Sequence, residues 1–284
     1  MRYQSVSHKV GLGLRPTHYP YLENKPETQV AWFEAVSENY MNSRGRPLEF
    51  LMSLRQDYPI ALHGVGMNVG ATDGVSLSYL QKLGDLIDQV EPFIVSDHLC
   101  WSAAEGHHFH DLLPLPFTNE TVNRLVDNID FAQNYLKRPL IFENVSTYIR
   151  FDTNEMSEEE FLVEVARRAG CRLLLDLNNV YVNSFNHGFD AKKFIRHIPT
   201  ELIGQIHLAG PSDEGRYLFD THSTEVPEPV WGLLRSLAPR ISHLPVLIER
   251  DEDIPEFNTL EVEVMKAAFI LENAYETQPH TAAL

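Results

Sequence analysis

The stretch Ser76–His98, SLSYLQKLGDLIDQVEPFIVSDH, holds the unit whose repetition decides the fold. Up to Glu91 the apolar residues Leu77, Leu80, Leu83, Ile87 and Val90 fall at mostly three- and four-residue steps, the stripe of an amphipathic helix. Phe93–His98 is then a short, largely unbroken apolar run that ends on an imidazole. Runs of this kind suit strands buried on both faces of a parallel sheet.

Working outward, runs like it occur at Lys9–Arg15, Trp32–Glu38, Ile60–Val65, Pro139–Glu143, Arg172–Asp176, Ile203–Leu208 and Pro245–Glu249. Helical patterns lie between them. Thr118–Lys137 carries Val122, Leu125, Val126, Ile129 and Ala132 on one stripe, and Ser157 with Glu160 forms a capping box that opens Ser157–Gly170. Ala191–Ile198 and Pro229–Leu237 follow the sixth and seventh strands, and Leu260–Tyr275 reads as the final helix. Eight strands alternating with helices, without a linker-like stretch, predict an α/β fold. It is expected to be one (β/α)8 TIM barrel over residues 1–284, with a loose tail at about 276–284. A doubly wound open sheet is the alternative, but Gly11-Leu12-Gly13 lacks the third glycine of a phosphate loop.

Composition narrows the function. Of 284 residues, 43% are hydrophobic and 22% charged, which excludes wholesale disorder. The net charge of −17 repels phosphate backbones and anionic lipid, and the basic pairs Arg167-Arg168 and Lys192-Lys193 lie inside helical segments. No nucleic-acid or membrane partner is expected. The start, MRYQSVSHKVGLGLRP, lacks the apolar core of a signal peptide, so a cytoplasmic location is expected. Cys100 and Cys171, outside any Cys-x-x-Cys pattern, argue against a disulfide framework or a thiolate zinc site.

A parallel barrel carries its reactive groups at the C-terminal ends of its strands. The third to eighth strands end with His63, His98, Glu143, Asp176, His207 and Glu249, and the loop after the seventh adds Asp220-Thr221-His222. Singly, each has a bland explanation: a core histidine, or an aspartate capping a helix. Six on one rim, with no lysine or arginine among them, need compensating cations, and bound metal ions supply it. Imidazole and carboxylate without thiolate suit iron, zinc or manganese. The set exceeds what one ion uses, so a carboxylate bridging two ions about 3.5–4 Å apart is economical, and Glu143 is the candidate bridge. Asp220 and His222 would point the same way if extended and could hold a further ion. Glu38 and Asn39, ending the second strand, and Asn144, beside the bridge, are candidates for substrate contact; Asn144 and Asp97, beside His98, could instead orient ligands. Glu105–His110 (EGHHFH) reads as a solvated lid and docking surface over the mouth.

Longer strings carry a resemblance. The ligand order resembles that of the xylose-isomerase-like barrels, including the trinuclear-zinc apurinic endonucleases. SDHLCW (Ser96–Trp101), DLLPLPFT (Asp111–Thr118), FENVSTYI (Phe142–Ile149), LDLNNVYVNSFNHGFD (Leu175–Asp190), DTHS (Asp220–Ser223) and LIERDEDIP (Leu247–Pro255) are similar to one branch in particular. This branch is the multinuclear non-haem iron-dependent oxidative enzymes, of the methanobactin-biosynthesis type. The likeness runs from about Val10 to Tyr275.

The resemblance implies one iron held by His63, His98 and Glu143, and a second by Glu143, Asp176, His207 and Glu249. A third would use Asp220 and His222, completed by Asn179 or His187. Two or three irons per chain are thus implied, with Glu143, Asp176 and His207 acting catalytically through them. The nuclease relatives have a histidine where Asn179 stands, and Pro211 takes a place where a histidine is expected. The implied reaction is dioxygen-dependent oxidation of cysteine in a ribosomally made precursor peptide, in natural-product biosynthesis. A small partner protein that recruits the leader peptide is implied with it. Two alternatives share the metal set: phosphodiester hydrolysis by a zinc cluster, which needs a basic face, and two-metal sugar isomerisation, which needs a lysine near the metals.

Overall fold

The computed structural model describes residues 10–104 and 107–276. Its strands, in chain order, are β1 (Val10–Gly13), β2 (Phe33–Val36), β3 (Ile60–His63), β4 (Ile94–His98), β5 (Trp101–Ala104) and β6 (His107–Leu113). They continue with β7 (Ile141–Glu143), β8 (Arg172–Asp176), β9 (Ile203–Leu208), β10 (Gly210–Asp213), β11 (Leu218–Thr224) and β12 (Val246–Ile248). Eight of them close a parallel barrel in the order β1-β12-β9-β8-β7-β4-β3-β2, the TIM barrel expected from the strand–helix alternation. The tail expected at about 276–284 falls, from residue 277 on, outside the described residues.

The other four strands form two antiparallel hairpins, β5–β6 and β10–β11, set after β4 and β9. Neither is legible as a hairpin in the sequence. The lid expected at Glu105–His110 is in part β6; residues 105–106 lie outside the described residues. Asp220 and His222, expected in a loop, belong to β11.

The helices are α1 (Tyr19–Leu22), α2 (Arg46–Leu54), α3 (Leu77–Val90), α4 (Asn119–Leu136), α5 (Glu158–Ala169), α6 (Leu177–His187), α7 (Ala191–His197), α8 (Glu228–Ile241) and α9 (Phe257–Glu276). The capping box of α5 forms in full: Ser157 Oγ accepts from Glu160 N while the Glu160 side chain takes the Ser157 N–H. In α3 the buried face is Leu80, Leu83, Leu86 and Val90. Leu77 opens the helix just after its N-cap, Ser76, and stays 59% exposed. The helix α6 is not expected from the sequence, because the asparagine-rich LNNVYVNSFNH has weak intrinsic helicity. Asp176, the last residue of β8, caps it by accepting from Asn179 N at 2.6 Å. Among the described residues, no helix is long and apolar enough to cross a membrane.

The barrel interior is layered. Near the N-terminal ends of the strands, Trp32, Ala61, Ile94, Ile141, Leu174 and Leu247 form an apolar plug. A Cβ on Gly11 would stand 2.3 Å from the Trp32 ring, so only glycine lets β1 pass this indole. Two residues further along the same face of the second strand, the plug gives way to a carboxylate, Glu34. From that level up, the interior is polar.

Candidate metal centre

The register assembles the centre. His98 lies opposite Glu143 on neighbouring strands, and Asp176 lies opposite His207. Glu143 Oε2 consequently stands 3.3 Å from His63 Nε2, 3.3 Å from His98 Nε2 and 3.8 Å from His207 Nδ1. His207 Nδ1 is also 2.9 Å from Glu249 Oε2, and His222 Nδ1 is 3.4 Å from the same oxygen. His222 Nε2 meets Asp220 Oδ1 at 2.6 Å. Among the described residues, four overlapping sets bring potential ligand atoms within 4.8 Å of one another. They are His63/His98/Glu143, Glu143/Asp176/His207, Asp176/His222/Glu249 and Glu34/His207/Glu249, all buried. They adjoin a cavity of about 200 Å³ whose wall includes Val36, Val65, Leu112, Val145 and Tyr148.

Each imidazole is held from behind. His63 Nδ1 lies 2.8 Å from Ser96 Oγ, and His98 Nδ1 lies 3.0 Å from the Gly64 carbonyl oxygen. His207 Nε2 lies 3.0 Å from Glu34 Oε1, and His222 Nδ1 lies 3.1 Å from Asp251 Oδ2. The carboxylates are fixed too: Asn179 Nδ2 donates to Glu143 Oε1 at 3.2 Å, and Asn178 Nδ2 donates to Asp220 Oδ1 at 2.7 Å. Such partners set the ring orientation of a ligand and its basicity. His222 adopts φ +49°, left-handed backbone that costs a residue with a Cβ about 1–3 kcal/mol.

Burial and mutual charge split the titrations. Desolvation, with His98 and His207 nearby, holds His63 well below the usual histidine range, and burial brings His98 down to about 4. Burial opposes charge on His207 as well, but Glu34 and Glu249 outweigh it and hold that ring well above its ordinary value. Burial likewise opposes charge on His222, where Asp220 and Glu249 prevail and raise it. Burial raises Glu143 strongly and lifts Asp176 to about 7. Glu249 goes the other way: burial is outweighed by His207 and His222, which keep it ionised.

The structure brings together His63, His98, Glu143, Asp176, His207, Asp220, His222 and Glu249. Asn179 is there as well, its amide nitrogen on Glu143. His187 is engaged elsewhere: its Nε2 lies 2.7 Å from Thr147 Oγ1, in a separate groove lined by Phe117, Phe151 and Phe194. The three residues expected to contact substrate have other partners or positions. Glu38 Oε1 accepts from Tyr79 OH at 2.6 Å and from Val65 N at 3.0 Å, pinning the loop after β3. Asn144 clamps both backbone groups of Asp176, and Asn39 lies on a short turn. Asp97 accepts from His98 N and Met67 N, so it braces the backbone beside its neighbouring ligand.

Arg15 adds a basic side chain to this rim, outside the six strand ends read from the sequence. It is buried, with its guanidinium 3.4 Å from Glu249 Oε1 and paired with Asp251. The first apolar run ends on this arginine, and counting that strand end with the others finds it. Glu34 escapes the sequence reading because it sits one layer below the strand ends. An acid inside the apolar run WFEAV is its signal.

Six carboxyl groups, Glu34, Glu143, Asp176, Asp220, Glu249 and Asp251, thus crowd around Arg15 and the two raised imidazoles. Among the described residues, Glu143 Oε2, Asp176 Oδ2, Asn179 Oδ1, His207 Nδ1 and His222 Nε2 are buried without a hydrogen-bond partner. Buried polar atoms are rarely left so, and five at one place, each able to offer a lone pair once any proton is displaced, mark a site for cations. The donor set, imidazole and carboxylate without sulfur, fits iron-type ions.

Comparison with known proteins agrees with this reading. A model of the RiPP precursor modification enzyme family MbnB/TglH/ChrH matches residues 9–272. A UPF0276 protein of Caulobacter vibrioides is 47% identical over 259 residues, covering 90% of this chain and 92% of the relative. Among solved structures, L-ribulose 3-epimerase superposes with a TM-score of 0.61 at 15% identity, over 96% of this chain and 99% of that one. Endonuclease IV from Thermus thermophilus gives 0.58 at 14%, over 92% and 98%. At such identities these two likenesses concern the barrel alone.

Proposed function

Since the chain belongs to the MbnB/TglH/ChrH family of enzymes that modify precursors of ribosomally synthesised peptides, we propose that it is a multinuclear non-haem iron enzyme that uses dioxygen to oxidise cysteine in such a precursor. The observation that carries this reading is the cluster of orphaned nitrogen and oxygen atoms at the barrel mouth. His63, His98 and Glu143 would hold one iron; Glu143, Asp176, His207 and Glu249 a second. Asp220 and His222, with Asn179 beside them, would hold a third. Bound there, iron supplies the exchange of electrons between a thiolate and dioxygen that no side chain of this centre can perform.

The chain's own part is positional. Val36, Val65, Leu112 and Val145 wall the cavity with apolar surface and keep bulk water from a cysteine side chain within it. Tyr148, 37% exposed at this mouth, packs its ring 5.2 Å from that of Phe219, which is 39% exposed. These rings offer a surface for the peptide backbone flanking the cysteine, and for a small partner protein that delivers the leader. The competing sugar-isomerase reading needs a lysine at the metals, and none lines the cavity among the described residues. The hydrolytic reading must overcome the net charge of −17.

The test is metal analysis by mass spectrometry on protein purified without oxygen, joined to Mössbauer spectroscopy. Magnetically coupled iron, and dioxygen uptake dependent on a cysteine-bearing precursor peptide, are expected. Full occupancy by zinc without iron would return hydrolysis to the front.

A further inference from the structure

Glu34 is an acid buried to 3% exposure inside the barrel, on β2 between Gly13 of β1 and Ala61 of β3. These small neighbours leave its side chain free to cross the interior. It reaches β9, three strands away around the barrel. There Oε1 stands 3.0 Å from His207 Nε2, and Oε2 accepts from Gln205 Nε2 at 2.6 Å. Gln205 and His207 are two residues apart on one strand and so face the same side.

We propose that Glu34 is the positioning residue for His207 and not itself a metal ligand. The inference rests on the metal-centre reading above. Both Glu34 oxygens are engaged, in contrast to Glu143 Oε2 and Asp176 Oδ2, which lack partners. An imidazole that coordinates through one nitrogen carries its hydrogen on the other. The nitrogen facing the cluster is Nδ1, which is 2.9 Å from Glu249 Oε2 and 3.8 Å from Glu143 Oε2. Nε2 must then donate. The acceptor at hand is Glu34 Oε1, because Gln205 Nε2, 2.8 Å from the same atom, is itself a donor. Turning the Gln205 amide over would set its oxygen against the Glu34 carboxylate. The carboxylate therefore fixes the tautomer of His207, and Gln205 fixes the carboxylate.

Cobalt(II), loaded without oxygen in place of the native ions, makes this visible by proton NMR. A ligand imidazole that keeps an N–H gives a strongly shifted signal that disappears in deuterium oxide. Wild-type protein should show one for His207, identified by its loss in His207→Ala. In Glu34→Gln, which retains the shape and an acceptor oxygen, the signal should move. In Glu34→Ala it should be lost to exchange, and cobalt should bind about 10–100-fold more weakly at that position. The signals of His63 and His98 should stay in place, and circular dichroism should report the same fold for Glu34→Gln. Unmoved His207 signal with unchanged affinity in both variants would overturn the assignment, as would a fall in cobalt coordination number in Glu34→Gln, the mark of a lost ligand. A wild-type protein that takes up no cobalt would overturn the metal-centre reading and this one together.

Discussion

Two histidines of the centre, His63 and His98, are backed by uncharged atoms, a serine hydroxyl and a backbone carbonyl. The other two, His207 and His222, are backed by the carboxylates of Glu34 and Asp251. The first pair lies on β3 and β4 and shares Glu143. The second lies on β9 and β11 and shares Glu249. The same ligand type thus occurs in two electrostatic settings a few ångströms apart. In the first, the protein keeps the rings neutral by burial; in the second, it surrounds them with negative charge. An ion bound by the second pair meets more basic imidazoles.

The largest test of this contrast removes what joins the halves. Glu143→Ala should strip both positions that share its carboxylate and abolish turnover, whereas His222→Ala should lose at most one ion; metal counting by mass spectrometry reads the difference. Equal losses would deny that Glu143 bridges. Next, Asp251→Asn keeps the shape behind His222 but not the charge. It should weaken metal binding there by about 10–100-fold, seen by competition with a chelator. Ser96→Ala is the matched change behind His63. It removes one uncharged partner at about 1 kcal/mol, so affinity should fall only roughly fivefold. Comparable effects in the two variants would erase the distinction.

The smallest expected effect is on pH dependence in metal-stripped protein, where the halves should slope in opposite directions. His98 is brought down to about 4 by burial, so folding holds it neutral where the unfolded chain, with an ordinary histidine value near 6.5, would protonate. Its contribution is present above about 6.5 and is lost as pH falls toward 4. His207 is raised, so its contribution is present below about 6.5 and is lost as pH climbs through the higher folded value. Between pH 4 and 6.5, roughly, the rise of melting temperature with pH should flatten in His98→Asn. Above that range, the fall with pH should diminish in His207→Asn. Profiles identical to wild type in both variants would contradict the split.

The legible part of this molecule is what the barrel forces to the strand ends. His63, His98, Glu143, Asp176 and His207 stand out because an ionisable group ending an apolar run has few other reasons to be there, and a parallel barrel aligns all such ends. Asp176 shows that the bland and the sharp readings can both hold: one oxygen caps α6, and the other is left for the centre. The supporting residues are illegible for a different reason. Glu34 and Gln205 meet across the barrel at a sequence distance of 171, and nothing local in either strand announces the other. The hairpins escape because β5 and β6 pair with each other outside the barrel, so their burial lacks the continuous apolar run by which buried strands are recognised.

The φ of +49° at His222 suits glycine better than any residue with a Cβ. In evolution, a chance change of His222 to glycine would relax the main chain while deleting an imidazole from the centre. Relief of the backbone and loss of the buried pairs to Asp220, Asp251 and Glu249 would then pull the melting temperature in opposite directions. A histidine at this position is thus held against the local preference of the chain by the carboxylates that its ring meets.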